Sequence, residues 1–173
     1  MTSVWMLWRT IWSVALQQIP IFDARECGIV GHLASERDAA LALRRATLQW
    51  FPAPVRALAG GVERVNGWWL RRNASPYRDE IFEMARLLGE PGVISLNTSY
   101  EWGCTTLGRP SGEGALLLRT LDWPFPGLGR SVQVVRMRGA AGDYWSVTWP
   151  GAAGVLTAMA PGRFAAALNQ APL

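Results

Sequence analysis

The apolar pattern of this chain changes its period near residue 90, and nothing else in the sequence constrains the fold as much. Before that point apolar residues recur at three- and four-residue spacing, as they do on helices with one buried face. "SERDAALALRRATLQWF" predicts a helix with Ser35 as N-cap and Asp38 at the capping-box position. A second helix opens with Pro54 in its first turn and carries Val55, Leu58, Ala59, Val62, Val65 and Trp69 at helical spacing. A third begins at Ser75-Pro76, has Asp79 and Glu80 in its first turn, and ends at Gly89 with the stripe Ile81, Met84, Ala85, Leu88. After residue 90 the chain breaks into short apolar runs separated by glycine and proline: "VISLN", "CTTLG", "GALLLRTLDW", "SVQVVRMRG", "DYWSVTWPG", "GVLTAMAPG" and "RFAAALNQA". Those runs read as strands, with hairpin turns at Ser111-Gly112 and between Gly139 and Gly142. Helices followed by strands predict an α+β protein built of N-terminal helices and then an antiparallel sheet.

Composition removes several function classes. Half of the 173 residues are hydrophobic, which excludes a disordered chain and supplies enough apolar mass for a core. The net charge is +4 and every basic residue is arginine, spread along the chain rather than gathered in a run. With no recognition-helix, zinc-finger or RNA-binding signature, no nucleic-acid partner is expected. Cys27 and Cys104 do not make a disulfide framework, and one histidine, His32, with two distant cysteines cannot build the usual metal sites. Cys27 reads as buried and inert, and His32 as a turn residue next to Gly31. Trp145 and Trp149 read as sharing one face of a strand in the core.

The N-terminus, "MTSVWMLWRTIWSVALQQIPIF", is apolar, but Arg9 interrupts it and no basic stretch or small-residue cleavage site frames it. It reads as neither a signal peptide nor a membrane span, which points to a cytoplasmic protein. Trp5, Trp8 and Trp12 share one helical face and offer a surface for packing on the core, for self-association or for contact with a membrane surface.

The chemistry concentrates in "YEWGCTTLG". A cysteine nucleophile must lose its proton near neutral pH, and a free thiol titrates near about 8.5. His32 is a poor partner, lying far upstream. Another solution is to cut the bond before the cysteine, so that the new α-amine serves as the base. Gly103 is small enough to let the chain bend back during such a cut. The next run, "SGEGALLLRTLDWPF", turns and returns Arg119 and Asp122 toward Cys104. Arg119 is suited to stabilise a thiolate, and Asp122 to orient an amine; the two also suit a structural ion pair. Three residues apart on a regular strand they face opposite ways, so both reach one site only at a bulge or a strand end near Thr120-Leu121.

"GCTT", with "RTLDW" on the following strand, resembles the N-terminal nucleophile (Ntn) amidohydrolases, in particular acid ceramidase, N-acylethanolamine amidase, penicillin acyltransferase and the choloylglycine hydrolases. "YRDEIFEMARLLGEPGVISLNTSYE" is similar to their pre-cleavage segment, and "GAAGVLTAMAPGRFAAALNQAP" to a later stretch that carries a substrate or oxyanion contact. The resemblance spans about residues 76 to 173. It implies part of an αββα sandwich, a helical pro-segment over 1–103 and the start of the β-rich core over 104–173. It implies cleavage between Gly103 and Cys104, with Cys104 as nucleophile and Arg119 and Asp122 as its partners. Asn169, Gln170 and Trp123 become oxyanion or substrate candidates, although Asn169 also suits a turn before Pro172. The reaction implied is hydrolysis, or acyl transfer, at the amide of a small N-acyl compound, with no cofactor and no metal. Relatives of that kind continue beyond the position of Leu173, so the chain is expected to be a partial form, or else a non-catalytic remnant acting as an interaction module.

Overall fold

The computed structural model describes residues 17–99, 103–112, 114–123 and 127–169. Trp5, Trp8, Trp12 and Gln170 lie outside the described residues. The architecture is mixed α and β. A strand that the periodicity does not reveal comes first: β1, Ile21–Asp23. Three residues are too few to show alternation. Six helices follow among the described residues: α1 Gly28–Ser35, α2 Arg37–Trp50, α3 Ala53–Ala57, α4 Ala59–Arg72, α5 Arg78–Leu88 and α6 Val93–Thr98.

Their boundaries correct the sequence reading at three places. Ser35 does not cap α2. It closes α1, and its hydroxyl donates to the His32 carbonyl at 2.7 Å. The single helix expected from Pro54 is two, α3 and α4, joined at Leu58; Gly60 and Gly61 weaken the first turn of α4. "VISLN" is not a strand but most of α6. Its strand-favouring residues are overridden by capping from a distance, because the Glu63 carboxylate accepts the backbone N–H groups of Ile94 and Ser95, each at 2.9 Å. Helix α5 forms as its sequence predicts. Asp79 and Glu80 favour its N-terminal dipole, and Gly89, at φ +70°, ends it.

The helices enclose a core of Leu33, Leu41, Leu70, Ile81, Met84 and Leu88, each at most 6% exposed. Burying a side chain of this size contributes about 1.5–3 kcal/mol. Val93 and Ile94 add α6 to that core.

Two sheets follow. The hairpin β2 Gly103–Ser111 and β3 Gly114–Asp122 stands alone. The second sheet runs β1-β4-β5-β6-β7, with β4 Gln133–Gly139, β5 Gly142–Thr148, β6 Thr157–Ala160 and β7 Phe164–Ala167. The β4–β5 hairpin closes with Gly139 opposite Gly142, where the sequence puts the turn. The sheet is mixed rather than purely antiparallel, since β1 pairs parallel to β4 with Ile21 opposite Val134. Residues from both sides of the 103/104 boundary therefore share one sheet. Among the described residues no helix is long and apolar enough to cross a membrane.

One end of this sheet is held by charge. The Asp143 carboxylate accepts from Arg138 at 2.9 Å, Arg25 at 3.1 Å and Arg136 at 3.2 Å. The Arg138 hydrogen bond, then that of Arg25, holds the Asp143 carboxyl below its ordinary range. Asp23 is held at about 2 by its hydrogen bond from the Arg25 guanidinium. Depressed carboxylates stabilise the fold above their ordinary pKa, and that contribution fades as pH falls through their folded values. The wild-type melting temperature should therefore fall between about pH 5 and about pH 2. Asp143→Asn should lower it at neutral pH, flatten its acid limb, and make it less salt-sensitive. Thermal unfolding across that pH range, at low and high salt, checks this; an unchanged acid limb contradicts it.

Candidate active site

The hairpin register builds the site. Gly103 lies opposite Asp122, Cys104 opposite Leu121, Thr105 opposite Thr120 and Thr106 opposite Arg119, and this pairing continues to Ser111 opposite Gly114. Directly opposed residues share a face, and alternate residues along a strand do too. Cys104, Thr106, Arg119 and Leu121 therefore lie on one face. Gly103, Thr105, Thr120 and Asp122 lie on the other.

The Cys104 face is turned toward the main sheet. Arg119 Nη2 donates to Cys104 Sγ at 3.0 Å and to the Leu168 carbonyl at 3.0 Å, while Nη1 donates to Thr157 Oγ1 at 3.1 Å. Arg119 Nε is buried and makes no hydrogen bond among the described residues. The Asn169 carboxamide meets the Thr106 hydroxyl, with Nδ2 at 2.7 Å and Oδ1 at 2.8 Å. Leu121 and Trp123 pack with Trp149 against Leu43 and Leu128. Cys104 itself is half-buried.

Asp122 lies on the face opposite Cys104 and is not brought to the sulfur. No bulge turns it, because β3 is regular to its end; Asp122 is the last residue of the strand. Its carboxylate lies beside Gly103, on the face opposite the thiol. A methyl added at Gly103 would lie 3.7 Å from Asp122 Cβ and 4.0 Å from Oδ2. That is ordinary contact, so the uncleaved chain does not require glycine at 103.

Three expectations on isolated residues are corrected. Cys27 is exposed, not buried. His32 is not in a turn: it lies in α1, 3% exposed. Its Nε2 is 2.9 Å from Gln133 Oε1, and its ring tilts against Phe22 at 4.9 Å. Trp145 and Trp149 do not share a core face of one strand. Trp145 lies in β5 under the Arg136 guanidinium, whereas Trp149 lies past the end of β5, 5.9 Å from Trp123.

Thr106, Thr157 and the Leu168 carbonyl belong to the site but escape the sequence reading. Alternation along β2 marks Thr106 as the neighbour of Cys104 on the same face. Nothing local marks Thr157 or Leu168, whose contacts with Arg119 span 38 and 49 residues.

An apolar groove of about 490 Å³ lies among the helices, with Trp123 in its wall. Leu48, Trp50, Phe51, Val62 and Leu96 line it. Among the described residues no cluster of three or more His, Cys, Asp or Glu side chains is arranged to hold a metal ion.

Chemically, the site joins a thiol to a fixed positive charge. The guanidinium is a donor only, so it stabilises negative charge on sulfur but cannot take the proton. Searches against protein-family models and curated proteins return no match.

Removing the guanidinium should slow alkylation of Cys104 by iodoacetamide, because Arg119 hydrogen-bonds the sulfur and favours negative charge there. The comparison is Arg119→Ala against Arg119 in a Cys27→Ser background, followed by mass spectrometry. Equal rates would show that the contact does not act on the sulfur.

Proposed function

We propose that this chain is a cysteine amidohydrolase of the Ntn type, acting on the amide bond of small N-acyl compounds after cleavage between Gly103 and Cys104. One observation carries the reading: among the described residues Arg119, a group that cannot accept a proton, is what hydrogen-bonds the Cys104 sulfur. A nucleophile so arranged lacks a base until an amine is made next to it.

In the maturation step the Cys104 thiol proton passes through solvent water to the peptide nitrogen as Sγ attacks the Gly103 carbonyl carbon. The C–N bond breaks, and the nitrogen, now carrying that proton, becomes the α-amine of Cys104. Water then attacks the Gly103 thioester, releasing the Gly103 carboxylate and restoring the thiol. In turnover the amine accepts the thiol proton as sulfur attacks the substrate carbonyl. It returns the proton to the leaving amine, and water hydrolyses the acyl thioester. Asp122, paired opposite Gly103 at the end of β3, is the candidate to orient that amine. The Asn169 carboxamide is the candidate donor to the tetrahedral oxyanion. The acyl group of the substrate occupies the groove with Trp123 in its wall. On this reading the β2–β3 hairpin and the five-stranded sheet are parts of the two sheets of an αββα sandwich. No cofactor is needed.

The test is hydrolysis of fluorogenic acyl amides by the purified chain. Asp122→Asn should lower kcat by about 10²–10⁴, the usual contribution of a positioned general base. Trp123→Ala should reduce the preference for long over short acyl chains. A reactive acyl ester should leave its acyl group on Cys104, detected by peptide mapping. Acylation elsewhere, or full activity in Cys104→Ala, would overturn the assignment.

A further inference from the structure

A cavity of about 80 Å³ lies between the helices and the main sheet. The β4–β5 register sets its floor. Val135 is paired with Ser146, Met137 with Tyr144 and Gln133 with Thr148, so these side chains share one face of the sheet. Gln133 meets His32 of α1, which makes this the helical face. Thr157 is paired with Val147 on the other face, and there Arg119 binds both Thr157 and Cys104. The cavity and the thiol are therefore on opposite sides of the sheet.

The polar side chains around the cavity are one carboxylate, Glu80, two phenols, Tyr77 and Tyr144, and the hydroxyls of Ser146 and Thr148. Among the described residues no arginine or histidine lines it. Ser146 is only 4% exposed, and its Oγ is buried with no hydrogen-bond partner among the described residues. A buried hydroxyl is costly to leave unpaired. Tyr77 and Glu80 are exposed along one side and leave the cavity open to solvent. Partial burial still pushes the Glu80 carboxyl above its ordinary value, with no cation to oppose it. Arg78, in the same first turn of α5, is taken by Asp79 at 2.9 Å. The loop between β5 and β6 fixes the Tyr77 ring. A methyl added at Gly154 would lie 3.2 Å from Tyr77 Cε2 and 3.3 Å from Cζ, so only a bare backbone approaches this ring so closely.

The missing elements are a positive charge and hydrogen-bond donors. A primary ammonium supplies both, with three N–H groups on one atom. A quaternary ammonium has no donor for Ser146. Ile29, Val135 and Met137 add an apolar lining that a bare inorganic cation would leave unused. One water needs about 10–15 Å³ of such space, so the cavity holds only a few heavy atoms.

We propose that this cavity binds the ammonium group of a small primary alkylamine, with Glu80 as its counter-ion and the Ser146 hydroxyl as an acceptor. Nothing in this assignment depends on the chemistry of Cys104.

The full chain is titrated with ethylammonium chloride, at an ionic strength held constant with sodium chloride. Binding is followed by calorimetry and by saturation-transfer NMR of the amine's methyl group. One site with a Kd of about a millimolar is expected, near the ceiling for three heavy atoms. Ethanol lacks the charge and tetramethylammonium lacks the donors, so each should bind at least about tenfold more weakly. Glu80→Gln and Ser146→Ala should each weaken ethylammonium binding at least about tenfold. Glu83→Gln removes the same charge from the same helix outside the cavity and should bind as the wild type does. Without amine, Ser146→Ala should melt no lower than the wild type, because it removes an unpaired buried hydroxyl. The proposal is overturned if the folded wild type shows no saturable millimolar binding, or if ethanol or tetramethylammonium binds as tightly as ethylammonium. It is equally overturned if Glu80→Gln and Ser146→Ala keep wild-type affinity, or if Glu83→Gln weakens binding as much as Glu80→Gln.

Discussion

The Arg119 guanidinium ties the molecule's two sheets together at the point where its one half-buried thiol lies. It reaches Cys104 on β2, Thr157 on β6 and the carbonyl of Leu168 just past β7. A two-stranded hairpin is at best marginally stable alone. This one exposes Leu107, Leu116 and Leu118 on the face away from the main sheet. Its inner face is held by that guanidinium, by the Thr106–Asn169 contact and by the packing of Leu121 and Trp123. Hydrogen bonds from a charged group contribute about 1.5–3 kcal/mol each, and the buried Nε left without a partner offsets part of that. The contact that docks the hairpin is also the one that supplies positive charge to the sulfur, so position and chemistry are set by the same side chain.

The hairpin register then divides the labour between its faces. Thiol and guanidinium share the inner face, while Asp122 sits at the strand end on the other face, opposite Gly103. A carboxylate against the sulfur would oppose a thiolate by like-charge repulsion. A carboxylate on the opposite face, beside Gly103, avoids this. His32 is held by Gln133 and Phe22, in α1, and serves the packing of the helical layer onto β1 and β4.

Much of this was legible in the sequence, and the rest was hidden for physical reasons. The periodicity of α5 and its charged first turn describe a helix that forms as written. The turns at Gly112 and between Gly139 and Gly142 define their hairpins, and with them the approach of Arg119 to Cys104. Local pattern failed where distant groups decide. "VISLN" has strand propensity, yet Glu63, some thirty residues upstream, caps it into a helix. β1 shows no alternation in three residues and exists through its pairing with β4. His32 looked like a loop residue because Gly28 and Gly31 closely precede it, but the Gln133 partner that makes its burial tolerable lies 101 residues away. Thr157 carries no signal of its own, since it matters only through a contact made by the fold.

The central claim is that the amine which activates Cys104 is made by cutting the chain immediately before it. The most direct measurement is N-terminal sequencing of the fragments formed by the folded, purified chain during incubation at neutral pH, beside Cys104→Ala. The account predicts a fragment that begins Cys-Thr-Thr-Leu, matching residues 104–107, in the wild type, and an uncut chain in the variant. A folded wild type that stays whole, or one that is cut elsewhere while Cys104→Ala is cut at the same place, would contradict it.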